Sequence, residues 1–232
     1  MKKIILSVAV ATMALSTAAS ALEDIKVNGQ AKLWYETSNV SDKNLGDKTA
    51  SSGEVVFKLG VTGKQGNVGF GAEVTQGSTM GLEGQLVSGV RTSANNLANQ
   101  TGTGDFYASK LYITAPVAPS TIIKLGRQEL NTPFAFTEKW NAQQNNFDAA
   151  VFVNNSVSDL TLIAAYVGQT NTAGGFKATQ EFNQMHGGAY AVGALYNNKT
   201  VAVNAWAYSL NNVGGSSAQA AWIDAGVKMG GA

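Results

Sequence analysis

Along most of this chain, small or apolar side chains alternate with polar ones. In "VNGQAKLWYE", residues 27–36, Val27, Gly29, Ala31, Leu33 and Tyr35 fall on one parity, and Asn28, Gln30, Lys32, Trp34 and Glu36 on the other. Successive side chains of a strand point to opposite faces, so a period of two predicts a strand with one apolar and one wet face. The same period predicts ten strands, at 25–37, 54–63, 67–77, 105–116, 120–128, 147–154, 159–168, 188–196, 200–209 and 219–229. In the second, Val55, Phe57, Leu59 and Val61 oppose Glu54, Lys58 and Thr62; in the third, Val68, Phe70, Ala72 and Val74 oppose Gly69, Gly71, Glu73 and Thr75. Later strands are softer: Leu160, Leu162, Ala164 and Tyr166 share a parity, Ala221, Ile223, Ala225 and Val227 oppose Trp222, Asp224 and Lys228, and the eighth strand is apolar on both faces.

The connections carry a second signal. Ser38–Gly53, Ser78–Gly104, Glu129–Asn146 and Gln169–Gly187 read as long polar loops, and they alternate with the short turns "GKQGN", "PVAPS", "NNSVS" and "NNK". Glycine, proline and asparagine at such points mark tight turns. An antiparallel meander with turns on one side and loops on the other is the build of an outer-membrane β-barrel.

That architecture assigns a solvent to each face. A sandwich of ten strands needs large aliphatics for its core, whereas this chain often offers Gly, Ala and one aromatic. A bilayer asks only that the outward face be apolar, and the inward face lines water. Strands of about ten residues also match a tilted crossing. Asn28, Gln30, Lys32, Glu36, Lys58, Glu73, Lys124, Asp224 and Lys228 are the expected lumen-lining residues. Tyr35, Tyr107, Tyr166 and Tyr208 lie near strand ends, where interfacial girdles belong, while Trp34, Trp206 and Trp222 fall on the inward parity.

Composition narrows the class further. The first residues, "MKKIILSVAVATMALSTAASA", pair Lys2 and Lys3 with an apolar run to Leu15 and an Ala-Ser-Ala site, a secretory signal cut after Ala21. The run is shorter than the ~20 residues of a spanning helix, and no later run approaches that length. Cutting there removes two lysines and no acid, leaving (16 − 2) − 15 = −1 from 16 basic and 15 acidic residues. A chain so nearly neutral has no basic patch for nucleic acid. With 0 cysteines it has neither disulfides nor thiolate metal sites. Asp42 and Asp47 in "SDKNLGD" lack the ligand density of a calcium loop, and "GFGAEVTQG" lies mid-strand with no helix after it, so a phosphate cradle fails; no cofactor is expected.

The blocks "LGRQELNTPF" at 125–134 and "FDAAVFVNNSVSDLTLIAAYVGQ" after it, with "VNGQAKLWYET" near the start, resemble the major outer-membrane porins of Campylobacter-type bacteria, relatives of the substrate-selective porins that include OprD. The resemblance implies an eighteen-stranded, trimeric barrel in the outer membrane that passes small hydrophilic solutes and is narrowed by its third extracellular loop. That loop corresponds here to "ELNTPFAFTEKWNAQQNN", which makes Arg127, Glu129, Glu138 and Lys139 the candidate charges at the narrow point. Opposed charges there would set up a field across the pore. The competing reading puts Arg127 at headgroup level or in a bulge, on the parity of Ile123 and Leu125, and leaves Glu138 and Lys139 as solvated loop charges. The ending "VKMGGA" departs from the aromatic final residue usual in such barrels, so a fragment holding the first strands of a larger barrel is expected.

Two other classes stay open. An adhesive or structural barrel would use the long loops as its binding surface. A ten-stranded outer-membrane protease or lipid enzyme would need a base, and His186, the 1 histidine present, has Glu181 as its nearest acid with nothing to fix their geometry.

Overall fold

In a computed structural model of the chain, the described residues are 22–37, 51–78, 106–139, 143–173 and 177–227. They form one antiparallel sheet of ten strands in sequence order: β1 (Glu23–Thr37), β2 (Ser51–Gln65), β3 (Val68–Ser78), β4 (Tyr107–Ala118), β5 (Thr121–Gln128), β6 (Phe147–Val157), β7 (Leu160–Ala173), β8 (Lys177–Asn197), β9 (Val201–Val213) and β10 (Ser216–Val227). No described ladder joins β10 to β1. The proposed signal, the loops around Asp42 and Asp47 and around 79–105, and Lys228 all lie outside the described residues.

The two faces separate as the alternation requires. Leu33 and Leu59 are 71% and 59% exposed, whereas Val56 and Lys58, on the opposite parity of β2, are 1% and 7% exposed. Exposed Val27, Phe57, Leu111, Ile113 and Ile223 continue the apolar face across the sheet. A soluble protein would bury such a surface; a bilayer covers it.

Part of the long connection expected at Gln169–Gly187 is strand instead. β7 runs on to Ala173 and β8 starts at Lys177, because register shifts after Val167 and Thr170, and positive φ at His186, Gly187 and Gly188, keep the ladder paired through polar sequence. Bulges of this kind disrupt the alternation that sequence reading relies on. His186 therefore sits in β8, its Nδ1 3.1 Å from the carbonyl oxygen of Asn212. A second bulge, at Ser109 between the pairs Glu73↔Lys110 and Val74↔Ala108, turns Tyr107 to the same face as Lys110. Tyr107 is consequently buried on the inward face, and Tyr208, two residues from Trp206 and so on the same parity, is buried there too, neither in an outer girdle, while Tyr35, Tyr166 and Tyr190 lie exposed on the outer one.

A candidate constriction built on the segment between β5 and β6

The segment 129–146 begins as a miniature hairpin. Asn131 bridges Phe136, Thr137 N–H donates to the Leu130 carbonyl at 2.8 Å, and Thr132 N–H donates to Ala135 at 3.0 Å. Pro133 stands second in this four-residue turn, where its fixed φ favours the geometry, and Phe134 is carried to the tip. Leu130 packs with Phe147, Ala149, Val167 and Ala189, so the hairpin stands on the inward face of β6–β8. Beyond it, Phe134 meets Tyr208 of β9 edge-on at 5.0 Å and Trp222 of β10 at 5.8 Å. Trp206 stacks on Tyr208 at 5.9 Å and lies over Gly193, where a Cβ would come within 2.7 Å of the indole.

The returning half, Gln143 to Asn146, reaches the opposite side. Lys58 Nζ of β2 donates to Gln144 Oε1 at 2.9 Å, and Tyr107 Oη of β4 donates to Gln143 Oε1 at 2.8 Å. Asn145 closes the segment on itself: Glu138 N–H donates to its Oδ1 at 2.6 Å and its Nδ2 donates to the Phe136 carbonyl at 3.1 Å. Asn146 N–H donates to Asn171 Oδ1 at 2.6 Å. All four amide residues are buried, which a polar "QQNN" gives no reason to expect. Buried amides of this kind need hydrogen-bond partners, and Gln143, Gln144 and Asn145 find them in the loop and the wall, whereas Asn146 accepts from Gln144 through Oδ1 but leaves its Nδ2 without a partner.

This double attachment dictates the shape of the wall. Lys58 and Tyr208 are seven strand steps apart in the sheet order, about 34 Å at ~4.8 Å per step if the sheet were flat. The chain from Phe134 to Gln144 could reach about 33 Å only if fully extended, and part of it is folded back. The sheet must therefore be rolled, with the segment lying across its concave side.

Charges gather where the segment meets β3 and β4. Lys110 Nζ lies 2.6 Å from Glu129 and 3.3 Å from Glu73, its direct cross-strand partner. Lys139 Nζ is 2.6 Å from the other oxygen of Glu129, Gln144 Nε2 donates to Glu129 at 2.8 Å, and Ser109 Oγ donates to Glu73 at 2.8 Å. Burial works to raise the Glu129 carboxyl, but hydrogen bonds from Lys110, Lys139 and Gln144 outweigh it and hold the group at about 2. Glu138 has burial without such donors, and its carboxyl is pushed up.

Of the residues singled out from sequence, Glu129, Lys139, Lys58 and Glu73 come together here. Lys124 lies on the same face with Nζ 3.8 Å above the Tyr112 ring, and Asp224 pairs with Asn204 near the turn end of β10. Asn28, Gln30 and Lys32 stand opposite Gly60, Lys58 and Val56, on the inward register of β1. The side chain of Glu36 and all of Lys228 fall outside the described residues. Arg127 is elsewhere. It makes a bidentate pair with its cross-strand neighbour Asp148 at 2.8 and 2.9 Å, donates to the Ala108 carbonyl at 2.8 Å and lies under the Phe182 ring. The register sets it opposite exposed Leu111 and in phase with Leu125, on the outward side. Sequence reading missed Lys110, whose parity is hidden by the Ser109 bulge, and Gln143, Gln144 and Phe134, whose types carry no signal for their partners.

A rolled antiparallel wall, apolar outside and polar inside, with a loop folded across its concave side, is the architecture of an outer-membrane porin. Residues 1–225 match the Campylobacter major outer membrane protein family, and the chain belongs to that family, not to an enzyme class. Solved structures give the same fold. The chain is similar to the OprE porin of Pseudomonas aeruginosa (TM-score 0.56, 16% identity, 81% of this chain and 47% of that one). It is also similar to OpdK of Pseudomonas aeruginosa, solved with vanillate (0.59, 14%, 82% and 50%), and to a BenF-like porin of Pseudomonas fluorescens (0.56, 15%, 82% and 51%). The chain thus spans about half the length of these porins. No curated protein sequence matches it.

Proposed function

We propose that this chain forms part of the wall of a passive diffusion channel for small hydrophilic solutes, and that the segment 129–146 narrows it. The observation that carries this reading is the tethering of one segment to both sides of the rolled sheet, at Lys58 through Gln144 and at Tyr208 through Phe134. Glu129, Lys139 and Lys110 then stand at the narrowest level with Lys58 and Glu73, and Glu138 edges it. The charges collect on the β2–β4 side and the aromatics on the β9–β10 side, so a polar solute is drawn to one side and slowed solutes are those without polar groups.

The family resemblance extends the proposal to three copies per assembly, which sedimentation in detergent reads. Single-channel recording in a planar bilayer tests the main claim. Discrete, ohmic current steps are expected from the purified porin, and a protein that inserts yet passes no current would overturn it.

A further inference from the structure

We propose that the aromatic side of the lumen is a binding site for organic ammonium cations. It rests on the channel reading above, but on different residues. Tyr208, Trp206 and Trp222 descend the inward face of β9–β10 from the loop side toward the turn side. Phe134 stands at the top of the series and Asp224 with Asn204 at its foot. Trp206 and Trp222 are direct cross-strand partners, as are Asn204 and Asp224. Phe134 and Trp222 keep 49% and 43% of their surface exposed, so ring area is open beside the lumen.

The foot of the series fixes the sign of the ligand. Trp222 Nε1 donates to Asp224 Oδ2 at 2.6 Å and Asn204 Nδ2 donates to Oδ1 at 2.8 Å. Both donors are neutral, and among the described residues no lysine or arginine comes within ion-pair distance of Asp224. A carboxylate held rigid but uncompensated at the edge of the Trp222 indole, with the exposed Trp222 and Phe134 rings, whose faces carry a negative quadrupole, above it, attracts a cation with an apolar surface. Small metal ions stay hydrated and gain little from rings. A quaternary or alkylated ammonium sheds water readily and gains from both.

The test uses the intact porin and benzyltrimethylammonium as the probe. Millimolar probe is expected to block single-channel potassium current in a concentration-dependent way, with the block about tenfold weaker in Asp224→Asn and in Trp222→Leu, each referred to its own unblocked current. A wild-type current indifferent to the probe, or a block unchanged in both variants, would overturn the inference while leaving the channel intact. Absence of any current would instead sink the channel reading. Calorimetric titration of the detergent-solubilised porin with the same cation then decides this site without a current: heat of binding lost in Asp224→Asn supports it, and no heat from the wild type refutes it.

Discussion

Glu129 is the joint between the folded-in segment and the wall, and removing it should loosen both. In Glu129→Ala three contacts vanish: Lys110 and Lys139, each at 2.6 Å, and the Gln144 amide at 2.8 Å. Glu129 and Lys110 are about three-quarters buried, so their charge-assisted bond is worth about 1.5 kcal/mol. Lys139 is mostly exposed and contributes below about 1 kcal/mol, and the neutral amide adds about 1 kcal/mol. The total, about 3 kcal/mol, is roughly a hundredfold in the ratio of seated to released segment. Single-channel recording should show larger mean conductance with added current noise, and protease should cut within 129–146 faster than in the wild type. Glu129→Gln, which keeps shape and one acceptor, should fall between. Unchanged conductance, noise and cleavage in Glu129→Ala would refute the reasoning.

Acid should act through the same carboxylate. Its folded value, about 2, is depressed from 4.5, so its contribution is fully present above about 4.5 and is lost as pH falls through about 2. Glu138, pushed up by burial, takes its proton first; conductance should therefore shift once in mildly acid solution and the segment should release only near pH 2 to 3, as a pH series of recordings would show. On the outer face, Leu59→Lys should impair assembly by about 2 to 4 kcal/mol, whereas Glu73→Gln should alter conductance; equal folding penalties in a urea titration from lipid vesicles would reverse the facing assignment. Arg127→Ala leaves Asp148 unpaired on the outward side and should cost about 2 kcal/mol of stability in the same titration with little change in current. In Gly193→Val the new side chain collides with the Trp206 indole, so the ring is pushed into the lumen and conductance should fall, an effect absent in Gly226→Ala, where an added Cβ meets open space.

The facing of β1–β3 was legible because an uninterrupted period of two leaves no other assignment: Leu59 and Lys58 are neighbours in sequence and opposites in solvent. The alternation fails as a guide wherever the backbone slips a residue. One extra residue at Ser109 turned Tyr107 inward and concealed Lys110, and irregular backbone at His186–Gly188 made strand of what reads as loop. That a segment at 129–146 folds into the lumen was an expectation of the family resemblance, and its seat was not legible in the sequence at all. Gln144 spans Lys58 and Glu129, 86 and 15 residues away, and amides carry no mark of a distant partner. Arg127 shows the converse, a charge near the segment in sequence whose partner, Asp148, is set by the β5–β6 register.

The central claim, that 129–146 narrows the water-filled side of this wall, is reached most directly by chemistry on a chain with 0 cysteines. Lys139→Cys and, as the outward control, Leu33→Cys would each be recorded while a charged, membrane-impermeant thiosulfonate reagent is added. The account predicts a permanent stepwise fall in single-channel current at position 139 and none at position 33. Equal responses at the two positions, or a current untouched by modification at 139, would contradict it.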